Sequence, residues 1–347
     1  MYSFMNDYSE GAHERILDAL AKTNREQTVG YGCDEHCGHA RELIKKQLRA
    51  RNCEIHFLVG GTQTNTTVIA SVLRPHQGVL AAETGHINVH ESGAVEATGH
   101  KVLPLPSGDG KITAAQVEAA VKAHFVDENA EHAVQPGMVY ISNPTEVGTI
   151  YKKKELTALK KVCDKYKLPL FLDGARLGCA LVSDENDLTL HDLARLCSVF
   201  YIGGTKMGAM FGEAVVFSDL ALAKDFRYMI KQRGGMLAKG RLLGIQFETL
   251  FADDLYFELA KHADAMARKL TAGLRAQGYS FLADSPTNQV FPILSKAGIE
   301  ALAKEFQFEI WKNIDAEHDA IRLCTSWATE ERQVDALLEL LAGMKSC

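Results

Sequence analysis

The chain has 347 residues, 46% of them hydrophobic and 24% charged, which is enough for a large buried core and two domains. Its 38 basic and 44 acidic residues leave a net charge of -6, which argues against a nucleic-acid surface as its main business. No apolar run reaches the roughly 18–20 residues that span a bilayer, and MYSFMNDYSEGAHE has neither the basic nor the apolar segment of a secretory signal, so a cytoplasmic protein without a membrane partner is expected.

In chain order, residues 1–40 precede any strand pattern and read as an arm with a helix, wrapped around a domain or a neighbouring copy. Strands are expected at 54–59 (EIHFLV), 78–82 (GVLAA), 101–105 (KVLPL), 137–142 (GMVYIS), 168–173 (LPLFLD), 198–202 (SVFYI) and 213–217 (EAVVF). Helical windows lie between most of them, among them TQTNTTVIASVL, TAAQVEAAVKAHF, KKELTALKKVCDKY and LHDLARL. Thr113 followed by Gln116 has the spacing of a capping box. This alternation predicts an α/β unit with a mostly parallel central sheet and flanking helices. Beyond residue 218 the helical pattern is nearly continuous, with one break at Gly234-Gly235. QVFPIL and AIRLCTSW then read as short strands, with helices around EALAKEF and QVDALLELLAGM, giving a small C-terminal α+β domain. The expected division is 1–40, 41–250 and 251–347. Eight cysteines (33, 37, 53, 163, 179, 197, 324 and 347) are scattered without a framework, as reduced thiols would be.

Three features carry chemistry. Asp173 ends an apolar strand and is followed by Gly-Ala-Arg, where open α/β sheets bind ligands; a turn or helix-capping aspartate is the plain alternative. Lys206, in YIGGTKMG, stands among glycines just past another strand. Burial there would lower its pKa and make its amine a nucleophile for carbonyls; otherwise it bonds loop carbonyls. VGGTQTNTT (59–67) follows the first strand and opens a helix, so its free N–H groups suit one phosphate, or merely cap the helix. It is neither a P-loop nor a dinucleotide fingerprint. Together the three ask for a ligand with a phosphate, a basic ring nitrogen and a carbonyl, and pyridoxal 5'-phosphate carries all three.

The same residues sit in longer motifs. LFLDGARLG, GGTQTN, ETGHINVHESGA, FYIGGTKMGAM, FRYMIKQRGGM, AIRLCTSW, NDYSEGAHERIL and GYGCDEH together resemble the threonine aldolases of the β-eliminating lyase family, which are fold-type I pyridoxal-phosphate enzymes. The resemblance implies that Lys206 is the Schiff-base lysine, Asp173 pairs with the pyridine nitrogen, and His86 stacks on the ring and takes part in catalysis. It implies phosphate binding by Gly61 and Thr62, cofactor contact by Arg176, and substrate binding by Asn6, Arg176 and Arg322. Tyr31 would reach a neighbouring subunit's site in a homodimer or homotetramer. The implied reaction is retro-aldol cleavage of L-threonine or L-allo-threonine to glycine and an aldehyde, with β-elimination on a related amino acid, or a non-catalytic homologue, as alternatives. The chain departs from the family pattern in three places. SNPTEVGTI lacks the usual histidine, Leu237 in GGMLAKG replaces an arginine with Lys239 nearby, and GGTKMG replaces SKGLG. The β-hydroxyl base is therefore expected to be His86, with Glu146 or a water as alternatives.

Other motifs are set aside. CDEHCGH (33–39) does not match common zinc spacings, so no metal is expected. HINVHE is not HExxH, because its glutamate follows the second histidine. Lys152–Lys154 read as the solvated start of a helix.

Overall fold

The computed structural model describes residues 1–50 and 52–345; Cys347 lies outside them. A short strand, β1 (Tyr2–Ser3), opens the arm. The seven expected strands follow as β2 (Glu54–Leu58), β3 (Gln77–Ala82), β4 (Val102–Leu105), β5 (Gln135–Ser142), β6 (Leu170–Asp173), β7 (Val199–Gly203) and β8 (Glu213–Phe217). They form one sheet in the order β2-β8-β7-β6-β5-β3-β4. From β7 to β4 every pairing is parallel, whereas β8 runs antiparallel to both β7 and β2. The carboxyl ends of β2 through β7 therefore share one edge. The reversed strand β8 brings its first residue, Glu213, to that same edge, opposite Leu58 and Gly203.

The strands are apolar on both faces because helices cover both. Alternate residues point to opposite sides, so Ile141, Leu172, Phe200 and Ile202 join one core while Tyr140, Phe171, Val199 and Tyr201 join the other. Each fully buried Leu or Phe of these cores contributes about 1.5–3 kcal/mol. The capping box forms as the spacing requires: the Gln116 N–H donates to Thr113 Oγ1 at 3.2 Å, and the Thr113 N–H donates to Gln116 Oε1 at 2.8 Å.

Three readings of the C-terminal part are corrected. The helical stretch after residue 218 breaks twice. Besides the interruption between the helices Phe226–Gln232 and Arg241–Ala252, it turns again before the helix Leu255–Ala276, where Asp254 takes a left-handed conformation with φ 56°. Aspartate adopts that conformation more readily than most residues, which masks the break in an otherwise helical pattern. QVFPIL is not one strand but two, β9 (Gln289–Val290) and β10 (Ile293–Ser295), interrupted at Pro292, which has no N–H for a ladder. Beyond β11 (Phe306–Gln307), the strand β12 (Glu309–Asn313) has no apolar run and was not foreseen. β13 (His318–Cys324) sits at the centre of this sheet, antiparallel to β9, β10 and β12.

The arm docks on this second unit. β1 pairs with β11, and Phe4 is fully buried with Leu270, Leu294, Ile321 and Leu337. The long helix Leu255–Ala276 belongs to both cores: Tyr256 and Leu259 pack on the large sheet's side, Leu270 and Leu274 against the small sheet. All described cysteines are free thiols, and only Cys33 is exposed. Among the described residues no helix is long and apolar enough to cross a membrane.

Candidate active site

A cavity of about 530 Å³ opens where the carboxyl edge of the large sheet faces β12 and β13. Its size is that of a small-molecule site. Topology explains its lining: the segments after β2, β3, β5, β6 and β7 all reach it because their strands run the same way.

Asp173 ends β6 with 5% exposure. Its Oδ2 accepts hydrogen bonds from Tyr140 Oη (2.5 Å) and Asn65 Nδ2 (3.1 Å). Its Oδ1 accepts from Tyr201 Oη and from the Ala175 N–H at 3.0 Å. Burial and the adjacent Asp173 push both phenols well above their ordinary pKa, so they remain donors.

Lys206 follows β7 and lines the same cavity. Among the described residues its Nζ has no hydrogen bond or ion pair, and it lies 5.7 Å from the centre of the Tyr8 ring. Burial lowers its pKa, and the Arg176 guanidinium lowers it further against the pull of Asp7, Asp173 and Glu213.

Gly60 and Gly61 precede and open the helix Gly61–Val72 without any side-chain cap, so the first N–H groups face the cavity beside Thr62. A Cβ on Gly61 would come within 3.2 Å of Tyr201 Oη, a contact so tight that the phenol would have to shift by a few tenths of an ångström. An uncapped helix start, a buried carboxylate held by four donors and a lysine without a hydrogen bond or ion pair among the described residues together fit the phosphate, ring nitrogen and carbonyl of pyridoxal phosphate.

His86 follows β3. Its N–H donates to Glu146 Oε1 at 2.9 Å, and its Nδ1 lies 2.8 Å from Glu91 Oε1. Glu146 also accepts from Ser142 Oγ at 2.7 Å, and burial raises its pKa.

The two arginines are already engaged by carboxylates. Arg176 Nε and Nη2 grip Asp7 at 2.6 and 3.1 Å, which leaves Nη1. Asp7 is fully buried, also accepts from Asn288 Nδ2 at 2.9 Å, and is held at about 2, because these partners outweigh the cost of its burial. Arg322 Nη2 meets Glu309 Oε2 at 2.5 Å, and its guanidinium lies 5.1 Å from the centre of the Trp311 ring. Its Nε is buried without a partner among the described residues.

Two expected residues lie outside this cavity. Asn6 turns back on the arm, its Oδ1 accepting from the Tyr8 N–H and Ser9 Oγ; its neighbours Asp7 and Tyr8 enter the site region instead. Tyr31 stands 46% exposed near Lys231 and does not line the cavity. In CDEHCGH, Asp34 caps the helix Glu35–Leu48, and His36 is clasped between Glu26 and Glu248. The residues missed from sequence are Asn65, Tyr140 and Tyr201 around Asp173, Asp7 on Arg176, Glu91 under His86, and Glu213. The GGTQTN motif already contained Asn65, but nothing local marked its partner.

Glu213 is 3% exposed. Its Oε1 accepts from Thr205 Oγ1 at 3.0 Å, its Oε2 is buried without a partner among the described residues, and burial lifts its pKa to about 8.

The fold is that of the fold-type I pyridoxal-phosphate enzymes. A sequence model of the β-eliminating lyases matches residues 6–297. A low-specificity L-threonine aldolase of Pseudomonas aeruginosa is 32% identical over 342 residues, covering 96% of this chain and 95% of that one. The structure of Leishmania major threonine aldolase superimposes with a TM-score of 0.96 at 48% identity, covering 99% of each chain. Thermus thermophilus aspartate aminotransferase, 14% identical with a TM-score of 0.72 over 99% of this chain and 91% of its own, shares the fold alone. The chain belongs to the β-eliminating lyase family, as its motifs suggested.

Proposed function

We propose that the protein is a pyridoxal-phosphate-dependent aldehyde-lyase that cleaves L-threonine or L-allo-threonine to glycine and an aldehyde. The observation that carries this is the pairing, in one cavity, of an unpartnered lysine of lowered pKa with a buried aspartate held by four donors. The similarity to the aldolases of Pseudomonas aeruginosa and Leishmania major supports the substrate class.

In this reading Lys206 holds the cofactor's aldehyde, Asp173 its ring nitrogen, and Gly61 and Thr62 its phosphate, while His86 packs on the ring. Bound there, the cofactor supplies an electron sink for the pair left when the Cα–Cβ bond breaks. Arg322 and the remaining Nη1 of Arg176 orient the substrate carboxylate. That grip would fix the orientation of the substrate's Cα bonds at the site. His86 Nε2 takes the β-hydroxyl proton as the aldehyde forms. Copies of the chain share sites, with Tyr31 reaching a neighbour; its exposure, and that of Tyr228 and Val29, supports this. The free thiols support a cytoplasmic location.

The test is His86→Phe, which keeps an aromatic ring against the cofactor. The variant is expected to bind pyridoxal phosphate and exchange the α-proton of glycine, yet to lose at least tenfold in acetaldehyde release from either substrate. Cleavage near the wild-type rate would move the base to Glu146 or water.

A further inference from the structure

Glu91 follows the single-turn helix His86–Val89, and its side chain turns back beneath the His86 ring with no exposure, while that ring is 38% exposed. One carboxylate oxygen, Oε1, lies 2.8 Å from His86 Nδ1 and accepts from Asn65 Nδ2 at 2.8 Å. The same Asn65 nitrogen donates to Asp173 Oδ2 at 3.1 Å. An amide nitrogen has two hydrogens, so one asparagine can serve both carboxylates. Asn65 is itself 1% exposed and holds this geometry from the helix that opens at Gly61.

A neutral imidazole carries one N–H, and an ionised carboxylate can only accept. At 2.8 Å the hydrogen therefore belongs on Nδ1, because the opposite tautomer would set a lone pair against a negative oxygen. Water cannot reach Oε1 to relieve that repulsion. The cavity side of the ring is then the unprotonated Nε2.

We propose that Glu91 is a positioning residue that fixes His86 as the Nδ1–H tautomer and so makes Nε2 the proton acceptor, with Asn65 tying this pair to Asp173. The proton balance is simple. The β-hydroxyl proton moves to Nε2, the O–H pair closes the aldehyde C=O, and the Cα–Cβ pair passes to the Cα side. The imidazolium, now N–H on both nitrogens, faces Glu91 on one side and returns its extra proton to water through the cavity, while Cα takes a proton from water. Two carboxylates in one network would have separate tasks, Glu91 on the histidine and Asp173 on the ring nitrogen of a bound cofactor.

The catalytic part rests on His86 being the β-hydroxyl base; the tautomer does not. The experiment separates them. The holoenzyme is labelled with ¹⁵N-imidazole histidine, and its spectrum is compared with that of His86→Phe to assign one ring among 13. The neutral ring is expected to show a protonated Nδ1 and a bare Nε2. In Glu91→Gln, whose amide can face the ring with either its oxygen or its nitrogen, a mixture of tautomers is expected. There kcat should fall about tenfold to a hundredfold, while KM for the amino acid stays within about twofold. An Nε2–H ring in the wild-type enzyme overturns the proposal even if Glu91→Gln does not fold. So does a Glu91→Gln ring with unchanged tautomer and unchanged kcat. If the Nδ1–H tautomer is present but His86→Phe cleaves normally, the positioning stands and the assignment of the base fails.

Discussion

Replacing Asp7 with asparagine isolates one long-range contact, because it keeps the side chain's shape and removes its charge. Asp7 has no exposure, and Arg176, whose side chain is 12% exposed, meets it through Nε and Nη2 at 2.6 and 3.1 Å. The pKa of Asp7 falls from 3.8 to about 2 on folding. A lowered carboxyl pKa means that the unfolded chain binds the proton more readily, so the contribution is complete above about pH 4 and is lost as pH falls through about 2. The shift alone is worth roughly 2 kcal/mol. Removing one partner of a buried pair costs more, about 3–5 kcal/mol, because the arginine stays charged and unpaired. With an unfolding entropy of roughly 0.7 kcal/mol/K for a chain of this length, the larger range lowers Tm by about 4–7 °C. A second signal comes from Lys206. Asp7 opposes Arg176 in setting its pKa, so the variant's lysine amine should titrate lower still. Calorimetry gives the first quantity. The pH dependence of Lys206 modification by an amine-selective reagent, read by peptide mass, gives the second. A Tm within about 1 °C of wild type together with unchanged Lys206 reactivity would refute the reasoning.

Lys206→Ala should abolish covalent retention of the cofactor while leaving the fold intact; borohydride reduction of the wild-type enzyme should fix the cofactor to the peptide carrying Lys206 and to no other lysine. Arg322→Lys keeps the charge but loses the paired donors and the stacking on Trp311, so KM for threonine should rise about tenfold; a lower Tm with unchanged kinetics would make Arg322 purely structural. Glu213, raised from 4.5 to about 8, keeps its proton in the folded state over a range where the unfolded chain has lost it, so this group costs stability as pH rises from about 4.5 to 8. Glu213→Gln should therefore raise the urea midpoint more at pH 8 than at pH 5, and equal changes at both would contradict the burial argument.

The placement of Asp173 and Lys206 at the cavity was legible because their signals are local. LFLD and SVFYI are apolar runs whose ends are marked by glycine, and in a sheet of parallel strands the residue at the carboxyl end faces the ligand. Six of the seven strands were legible for the same reason, since strands buried on both faces leave no polar alternation to interrupt the run, while the edge strand β4 is only partly buried. Glu213 escaped because that rule fails where a strand is reversed: β8 is antiparallel, so its first residue, not its last, arrives at the site edge. Tyr140 and Tyr201 read as ordinary core aromatics inside β5 and β7, and only the sheet order places both hydroxyls on Asp173. Glu91 was passed over for standing on the wrong side of a histidine pair, although a one-turn helix folds it back under the ring. Asp7 lies 169 residues from Arg176, and nothing near it in the chain marks a partner. Periodicity and strand-end chemistry depend on neighbours in the chain, so the sequence carries them directly. The carboxylates that pair with Arg176 and Arg322, and the one at the site edge, depend on strand direction and on where the arm and β12 dock, and only burial of distant surfaces against one another decides those.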